Sequence, residues 1–450
     1  CYKLNQYYEQ KLRQDKTAHD KIEFEIIFNT YDFMTDTRLK ELAEYGFDDV
    51  EISQLRNALF EIAKQTLEHY DEICEEDLRS LGQLTELRHE LRKHAPLAET
   101  NVMKLYSYID ELLDSIKDHG TPQFTRQARC AFMARSFCRT LVEKGYFTKQ
   151  EMDDFMLSIP TVASEFERDF DLYSHGKLSR DDFNHLYGHL RLGTYDIRSD
   201  SYRNIYFDVA SANLTGNNKV KQEAKSLDLE RLQVALDEAG IPVTPEKFIE
   251  FIKKATQNRE YFKFEFTKSL SLMLDVIVKL GEVMAIARED MSYLEIQDLL
   301  SYHSRDSYIQ TIETRRRFYH VNSYLVLPEV IFDVGDIDVI DIDEARPNFI
   351  TNKVVEAPIV NLDEDHDSDI TGKIVVLTKA DPGYDWIFAK DIAGFVTKYG
   401  GAASHMAIRC AEFGIPAAIG CGEKIYQRIH RMQIMCLDCE NGRITEKQSQ

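Results

Sequence analysis

The sequence predicts a multidomain protein in which a large all-α N-terminal and central region precedes a small C-terminal α/β domain. Apolar residues recur every three or four positions through residues 1–330, which is typical of amphipathic helices. Short β-branched runs alternate with short helical runs in residues 370–450, which is typical of a compact α/β domain. Residues 331–369 between them are strongly acidic, and 450 residues suffice for two or three domains.

Few glycines and prolines interrupt the helical region. Stretches such as ISQLRNALFEIAKQTLEHYDEI and SLSLMLDVIVKLGEVMAIA carry apolar residues with the helical period. Breaks are expected near Gly120 and Pro160. A helix is expected to begin at TPEKF, with Thr244 as its N-cap and Pro245 in its first turn. Many long helices with few strands favour a bundle, and we expect residues 1–330 to hold the acceptor substrate, for reasons given below.

The acidic segment, residues 331–369, is predicted to be a linker with short strands. From Asp333 to Asp369 it holds twelve acidic residues against two basic ones, Arg346 and Lys353. Such a composition buries little surface and favours a solvated connection, although its β-branched residues favour some strand pairing. In the C-terminal domain, strands are expected at 372–377, 392–398, 415–420 and 433–438, and helices at 385–391 and about 404–413.

Composition excludes several classes of partner. The net charge is −22, so no nucleic-acid partner is expected, because binding phosphate backbones needs a concentrated basic face. No apolar run reaches the roughly 18 residues of a membrane-spanning helix, so no membrane partner is expected. The eight scattered cysteines, including Cys436 and Cys439, predict reduced thiols, no metal site and a cytoplasmic location. The start lacks Met and is not a signal peptide, which predicts native sequence upstream of Cys1.

One histidine stands out for its local sequence, YGGAASHMAIRCAEFGIPAAIG, which covers residues 399–420. Gly400 and Gly401 end a predicted strand, and Ser404 and His405 begin a predicted helix. The first turn of a helix offers unpaired N–H donors and the positive end of the helix dipole, which together bind anions. His405 is therefore a candidate nucleophile that carries a phosphoryl group. The same residues suit an ordinary turn and helix cap, and local physics alone favours that interpretation over the carrier.

This stretch, with GKIVVLTKADPGYDW before it and IMCLDCENGRI after it, resembles the phosphohistidine, or swivelling, domain of the phosphoenolpyruvate-utilising enzymes. The similarity covers about residues 370–445 and follows the family order from Gly-Gly-x-x-Ser-His-x-Ala-Ile to Glu-x-Gly-Ile-Pro. It implies that His405 is catalytic and that Gly400, Gly401, Ser404 and Arg409 bind phosphate. Family members usually carry arginine before the glutamate, where this chain has Ala411, and Arg409 is the candidate to replace it.

Two stretches of the helical region resemble the central domains of rifampin phosphotransferases and of the L-glutamine kinases of capsule biosynthesis. They are YGHLRLGTYDIRSDSYRN at 187–204 and the segment 258–299. The resemblance implies an acceptor site near the docked histidine. Arg191 would clamp an anion by its planar fork, and His189 or Asp196 would act as general base. The full candidate set is Arg126, Arg129, His189, Arg191, Tyr195, Asp196, Arg259 and Glu260. As a group these residues equally suit ion pairs and caps between helices.

The resemblance implies an ATP-dependent phosphotransferase of the dikinase type. His405 would carry phosphate to a small acceptor, preferably the L-glutamine amide, with AMP and phosphate as products. An antibiotic phosphotransferase of the rifampin type is one alternative, and a non-catalytic phosphocarrier served by a partner kinase is another. With 20 glycines and no Gly-rich nucleotide loop, the chain should bind no cofactor alone. Mg²⁺ and ATP are expected on an ATP-grasp domain, upstream or in trans.

Overall fold

The computed structural model describes residues 2–204, 226–322, 327–328, 330–335, 347–363, 368–402 and 404–447. The chain forms two compact units. The first comprises Cys1–Val162 and Lys219–His320, and the second comprises Ala163–Asn218 and Val321–Gln450. These units differ in one respect from the domain boundary that the sequence predicts at residue 330, because residues 163–218 group with the C-terminal part of the chain. Residues 336–346 and 364–367 of the predicted acidic linker lie outside the described residues.

Helices account for most of the described chain before residue 323. In chain order they are α1 (Tyr2–Gln14), α2 (Thr35–Leu39), α3 (Asp49–Lys93), α4 (Val102–His119), α5 (Thr121–Glu143), α6 (Lys149–Leu157), α7 (Val162–Ser174), α8 (Arg180–Tyr187), α9 (Leu229–Ala239), α10 (Pro245–Val283), α11 (Arg288–Met291) and α12 (Arg305–Asn322). Short 3₁₀ or π turns at 16–26, 40–45, 96–98 and 296–299 connect some of them.

The first unit is a helical bundle built around the long helix α10, which packs against α3, α4 and α5. The predicted start of α10 is confirmed, because the Thr244 side chain accepts a hydrogen bond from the Lys247 amide and Pro245 occupies the first turn. Pro245 needs no amide hydrogen there, and its fixed φ suits a helix start. The buried core includes Phe137, whose ring packs against the rings of Phe248 and Phe251. The predicted all-α bundle is thus confirmed for this unit.

The second unit contains α7, α8 and a mixed β-sheet. Its strands are β1 (Asn348–Ile350), β2 (Val354–Asn361), β3 (Ile374–Lys379), β4 (Gly394–Tyr399), β5 (Ala417–Ile419), β6 (Ile434–Asp438) and β7 (Arg443–Glu446). Helix α13 (His405–Phe413) follows β4, and α14 (Gly422–Ile429) follows β5. A 3₁₀ helix, Pro382–Ala389, connects β3 to β4. The predicted small α/β domain is confirmed, with β7 and α14 added to the expected elements.

The described strands form a seven-stranded sheet in the order β1-β5-β4-β3-β2-β6-β7. Strands β2, β3, β4 and β5 run parallel, whereas β1, β6 and β7 pair antiparallel. Both β1 and β2 lie within residues 331–369, the segment that the sequence predicts to be an acidic linker with short strands. Strand β2 pairs with β6 through Val354–Pro358 and with β3 through Ile359–Asn361. The C-terminal ends of β3 and β4 therefore lie side by side, and the loops that follow them meet at one edge.

Candidate functional site

The loop after β4 requires glycine at its first position. Gly400 has φ +132°, a backbone conformation that residues with a side chain rarely adopt. A Cβ atom there would lie 2.9 Å from the Cβ of Ala380, just after β3, and 3.1 Å from a methyl of Ile419 on β5. Gly400 thus lets the chain leave β4 in tight contact with the sheet. Gly401 follows, and its carbonyl accepts a hydrogen bond from the Ser404 amide, which closes the turn into α13.

Ser404 caps α13, as the sequence predicts. Its side chain accepts a hydrogen bond from the Ala407 amide at 3.3 Å, and Gly414 ends the helix in the left-handed conformation. His405 is the first residue of this nine-residue helix. The buried side chains of Met406, Ala407 and Cys410 fix the helix on the domain core. The imidazole therefore lies in the first turn, where unpaired amides and the helix dipole favour an anion.

The imidazole of His405 contacts the carboxylate of Asp385. Nε2 lies 2.7 Å from one carboxylate oxygen and 2.8 Å from the other. Both side chains are 14% exposed. Since a ring nitrogen and a carboxylate repel unless a proton lies between them, Nε2 carries a hydrogen in this arrangement and donates it to Asp385. Sequence reasoning missed Asp385, which lies in the 3₁₀ helix Pro382–Ala389, 20 residues before His405.

Arg409 lies one turn after His405 and is surrounded by carboxylates. Its side chain is 4% exposed. The guanidinium pairs with Glu412 at 2.7 Å and with Glu167 of α7, and its Nε lies 3.8 Å from Asp385. Burial lowers the pKa of Arg409, but Asp385, Glu167 and Glu412 outweigh that effect and raise it. These carboxylates engage the guanidinium, and phosphate binding by Arg409 stays a prediction.

Ala411 stands where the resembling family usually carries arginine. Its position on α13 shows whether an arginine there could approach His405. Successive residues of an α-helix are about 100° apart, so position 411 is about 240° around the helix from His405. Ala411 is exposed, whereas Arg409 is buried on the side of His405. An arginine at 411 would therefore point away from the imidazole in this arrangement. Arg409 is the basic residue of α13 that approaches the His405–Asp385 pair.

The segment 188–204 packs against the turn that leads into the 3₁₀ helix. A Cβ atom on Gly383 would lie 1.8 Å from the carbonyl oxygen of Arg191, so only glycine permits this approach. Thr194 donates from its amide and hydroxyl to the carboxylate of Asp381, the hydroxyl at 3.0 Å. The Tyr202 hydroxyl donates to the Gly383 carbonyl, and burial raises its pKa well above the usual value, as do nearby carboxylates. The segment thus contacts the chain at Gly383, two residues before Asp385.

Four predicted acceptor residues lie in this segment and therefore in the same unit as His405. His189 and Arg191 are buried, and Nη1 of Arg191 donates to the Ser199 carbonyl at 2.7 Å. Tyr195 is 60% exposed. Asp196 pairs with Arg198 at 2.6 Å, and hydrogen bonds from Arg198 hold its pKa below the usual range. That lowered pKa makes Asp196 a weak general base, and acceptor binding by these residues stays a prediction.

The other four predicted acceptor residues lie in the first unit. Arg126 pairs with the buried Asp77 at 3.1 Å, and Arg129 is exposed on the same helix. Arg259 lies over the ring of Phe132, 5.7 Å from its centroid, and 3.8 Å from the carboxylate of Glu260. The contacts of Arg126 with Asp77 and of Arg259 with Phe132 join different helices, whereas Arg259 and Glu260 are neighbours in one helix. An acceptor role for the four residues stays a prediction.

Three further features bear on metal and membrane binding in the part of the chain that the structure describes. Within those residues, no group of three or more His, Cys, Asp or Glu side chains is arranged to hold a metal ion. The described cysteines are free thiols, and burial raises the pKa of Cys439 to about 11. Among the described helices, none combines the length and apolar character that crossing a bilayer requires.

Comparison with known proteins identifies the domain that carries His405. Residues 370–442 match the family described as the PEP-utilising enzyme, mobile domain. The chain is 28% identical over 222 residues to a rifampicin phosphotransferase of Bacillus subtilis (strain 168), covering 45% of this chain and 24% of that protein. It is 26% identical over 212 residues to a rifampicin phosphotransferase of Bacillus cereus, covering 43% and 24%. The similarity thus spans about a quarter of each relative's length. Residues 370–442, which include His405, are thus similar to the mobile domain of the PEP-utilising enzymes.

Proposed function

We propose that this chain is the histidine-carrying and acceptor-binding part of an ATP-dependent phosphotransferase of the dikinase type. One observation carries the proposal: within the matched mobile domain, His405 begins a capped helix and a carboxylate holds its Nε2. A neutral imidazole is a competent nucleophile toward phosphorus, and the helix start stabilises the added negative charge. The two relatives named rifampicin phosphotransferase support the reaction class.

The nucleotide would bind outside this chain, on an ATP-grasp domain that is linked to it or acts in trans. Mg²⁺ would accompany ATP there and neutralise the phosphates as the phosphoryl group moves to His405. The mobile domain would then travel between the nucleotide and the acceptor. Travel of this kind is consistent with the family description as a mobile domain.

The acceptor would be a small molecule bound near the segment 188–204. This segment contacts the Asp381–Gly383 turn, which precedes Asp385 of the His405–Asp385 pair. This contact supports delivery of the phosphoryl group to an acceptor at the segment 188–204. A hydroxyl of a rifampicin-type antibiotic is the acceptor that the names of the two relatives support. The glutamine amide rests on the similarity of the GTYDI sequence at 193–197 alone. A phosphocarrier without an acceptor of its own is the remaining alternative.

The test is to purify the native protein from its own cells and incubate it with ATP labelled in the β-phosphate. We expect acid-labile, base-stable label on the wild type and none on His405→Ala, because phosphohistidine is hydrolysed in acid. Label that persists in His405→Ala would exclude the proposed carrier. Phosphorus NMR with rifampicin or with glutamine then identifies the acceptor. Transfer to neither compound would exclude both acceptors and favour the phosphocarrier.

A further inference from the structure

We infer that Glu167 of α7 competes with a phosphoryl group on His405 for the guanidinium of Arg409, so that docking on α7 favours release of the phosphoryl group. The inference rests on the proposed function and adds to it a positioning residue from outside the matched mobile domain. Glu167 and Arg409 pair across 242 residues of sequence, and the Arg409 side chain is 4% exposed. The pair is therefore a buried tertiary contact.

Arg409 is placed to contact a phosphoryl group on His405. Residues four positions apart lie on the same face of an α-helix. One carboxylate oxygen of Asp385 lies 2.7 Å from the His405 ring and 3.8 Å from Nε of Arg409, so both side chains approach the same oxygen atom. A guanidinium binds phosphate oxygens through two parallel hydrogen bonds. Arg409 can therefore engage either carboxylates, as in this structure, or an added phosphoryl group.

Three carboxylates surround Arg409, and one of the three lies outside the matched domain. Asp385 and Glu412 belong to residues 370–442, so they would move together with Arg409. Glu167 belongs to α7 and would stay behind when the mobile domain leaves. The ion pair between Glu167 and Arg409 therefore forms only when the mobile domain is docked on α7.

Helix α7 lies on the side where we place the acceptor. The ring of Phe166 packs against the ring of Tyr202 in the segment 188–204, with 6.4 Å between the centroids. The Tyr202 hydroxyl in turn donates to the Gly383 carbonyl of the mobile domain. Glu167 follows Phe166 in sequence and thus belongs to the same surface. Docking on this surface brings the mobile domain to Glu167 and to the proposed acceptor at once.

The competition gives the transfer a direction. Away from α7, Arg409 would pair with the phosphoryl group and stabilise it on His405. On α7, Glu167 takes the guanidinium, and its negative charge repels the phosphoryl group. Because coupling between two binding events is reciprocal, docking favours discharge as much as the phosphoryl group disfavours docking. In the step itself, the P–N bond breaks, its electron pair returns to the imidazole, phosphorus bonds to the acceptor, and the acceptor's proton passes to the imidazole.

The alternative is an ion pair that only stabilises the fold, and hydrogen–deuterium exchange of α7 separates the two. The full chain is treated with phosphoramidate, which phosphorylates histidine without a nucleotide domain as its own P–N bond breaks and ammonia leaves. Mass spectrometry then locates the phosphate on His405. We expect phosphorylation to make the peptide that covers α7 exchange about tenfold faster, because one charge-assisted hydrogen bond is lost. An ion pair with only a structural role would not respond to phosphorylation.

Glu167→Gln tests whether the response depends on this carboxylate. In this variant, α7 should exchange faster before phosphorylation and should no longer respond to it. Glu165→Gln removes one charge from an exposed side chain of the same helix and should respond like the wild type. Glu167→Asp, which keeps a carboxylate, should keep part of the response.

Two results would overturn the inference while the proposed function stands. One is an α7 exchange rate in the wild type that phosphorylation of His405 does not change. The other is a full response to phosphorylation in Glu167→Gln. Absence of phosphate on His405 in the wild type would instead overturn the proposed function, and the inference with it.

Discussion

The contact between Gly383 and the backbone of Arg191 predicts a large effect of adding one methyl group. In Gly383→Ala, the new Cβ would lie 1.8 Å from the Arg191 carbonyl oxygen and 2.4 Å from the Cα of Leu192. Real Cβ atoms essentially never approach closer than 3.0 Å, so the two backbones must separate by at least 1.2 Å, the difference between 3.0 and 1.8. Backbone atoms cannot yield as a flexible side chain would. The segment 188–204 should therefore detach from the turn.

The free-energy cost of Gly383→Ala follows from the hydrogen bonds that break when the two backbones separate. Thr194 donates to the ionised Asp381, and a hydrogen bond to a charged group contributes about 1.5–3 kcal/mol. The Tyr202 hydroxyl bond to Gly383 contributes about 1 kcal/mol more. A loss of about 3 kcal/mol in local opening free energy corresponds to roughly 100-fold faster exchange of protected amides. The amides of Thr194 and Tyr202 are hydrogen-bonded and should report it.

Hydrogen–deuterium exchange with mass spectrometry is the assay, applied to peptides that cover residues 188–204 and 381–389. Gly82→Ala is the matched control, because Gly82 lies within α3 and nothing is within 4 Å of its added Cβ. That control should stabilise its helix by about 1 kcal/mol and leave exchange at 188–204 unchanged. Exchange in Gly383→Ala that matches the wild type at both peptides would refute the close approach from which the prediction is derived.

Two further predictions concern buried charges. Arg409→Leu leaves the carboxylates of Glu167 and Glu412 without their partner. We therefore expect the free energy of unfolding of the second unit, measured in urea, to fall by about 3 kcal/mol. A decrease below about 1 kcal/mol would contradict this expectation. Burial raises the pKa of Asp77, so the folded state binds its proton more tightly than the unfolded state, and stability should fall as pH rises above about 4. The melting temperature of Asp77→Asn should not show this decrease with pH. Parallel pH profiles of the melting temperature for the wild type and Asp77→Asn would contradict the prediction.

Local signals in the sequence predicted the fold well where they are strong. The Thr244 cap, the first-turn Pro245 and the Ser404 cap are all observed, because a cap depends on residues three positions apart. The predicted strands and helices of the C-terminal domain are present with ends shifted by a few residues. The short helix α14 was missed, since its eight residues lie between two strands and offer few turns of periodic pattern.

The part that sequence reasoning missed depends on contacts distant in the chain. Asp385 and His405 are separated by a whole strand, so no spacing rule links them. The contact of Glu167 with Arg409 spans 242 residues, and a charged residue on α7 carries no signal of its partner. The motif points to His189 and Arg191, but their burial, and the contact of the Arg191 backbone with Gly383, are properties of tertiary packing.

The path of β2 determines where this domain can be divided experimentally. Its first half pairs with β6 and its second half with β3, so this one strand joins the parallel part of the sheet to the β6–β7 hairpin. A fragment starting at residue 370 would keep the whole matched region but lose this strand. The hairpin would then lack its neighbour, and the backbone edge of β3 would be open to pairing with other chains. A fragment that carries His405 and keeps this strand therefore has to begin upstream of Val354, where β2 begins.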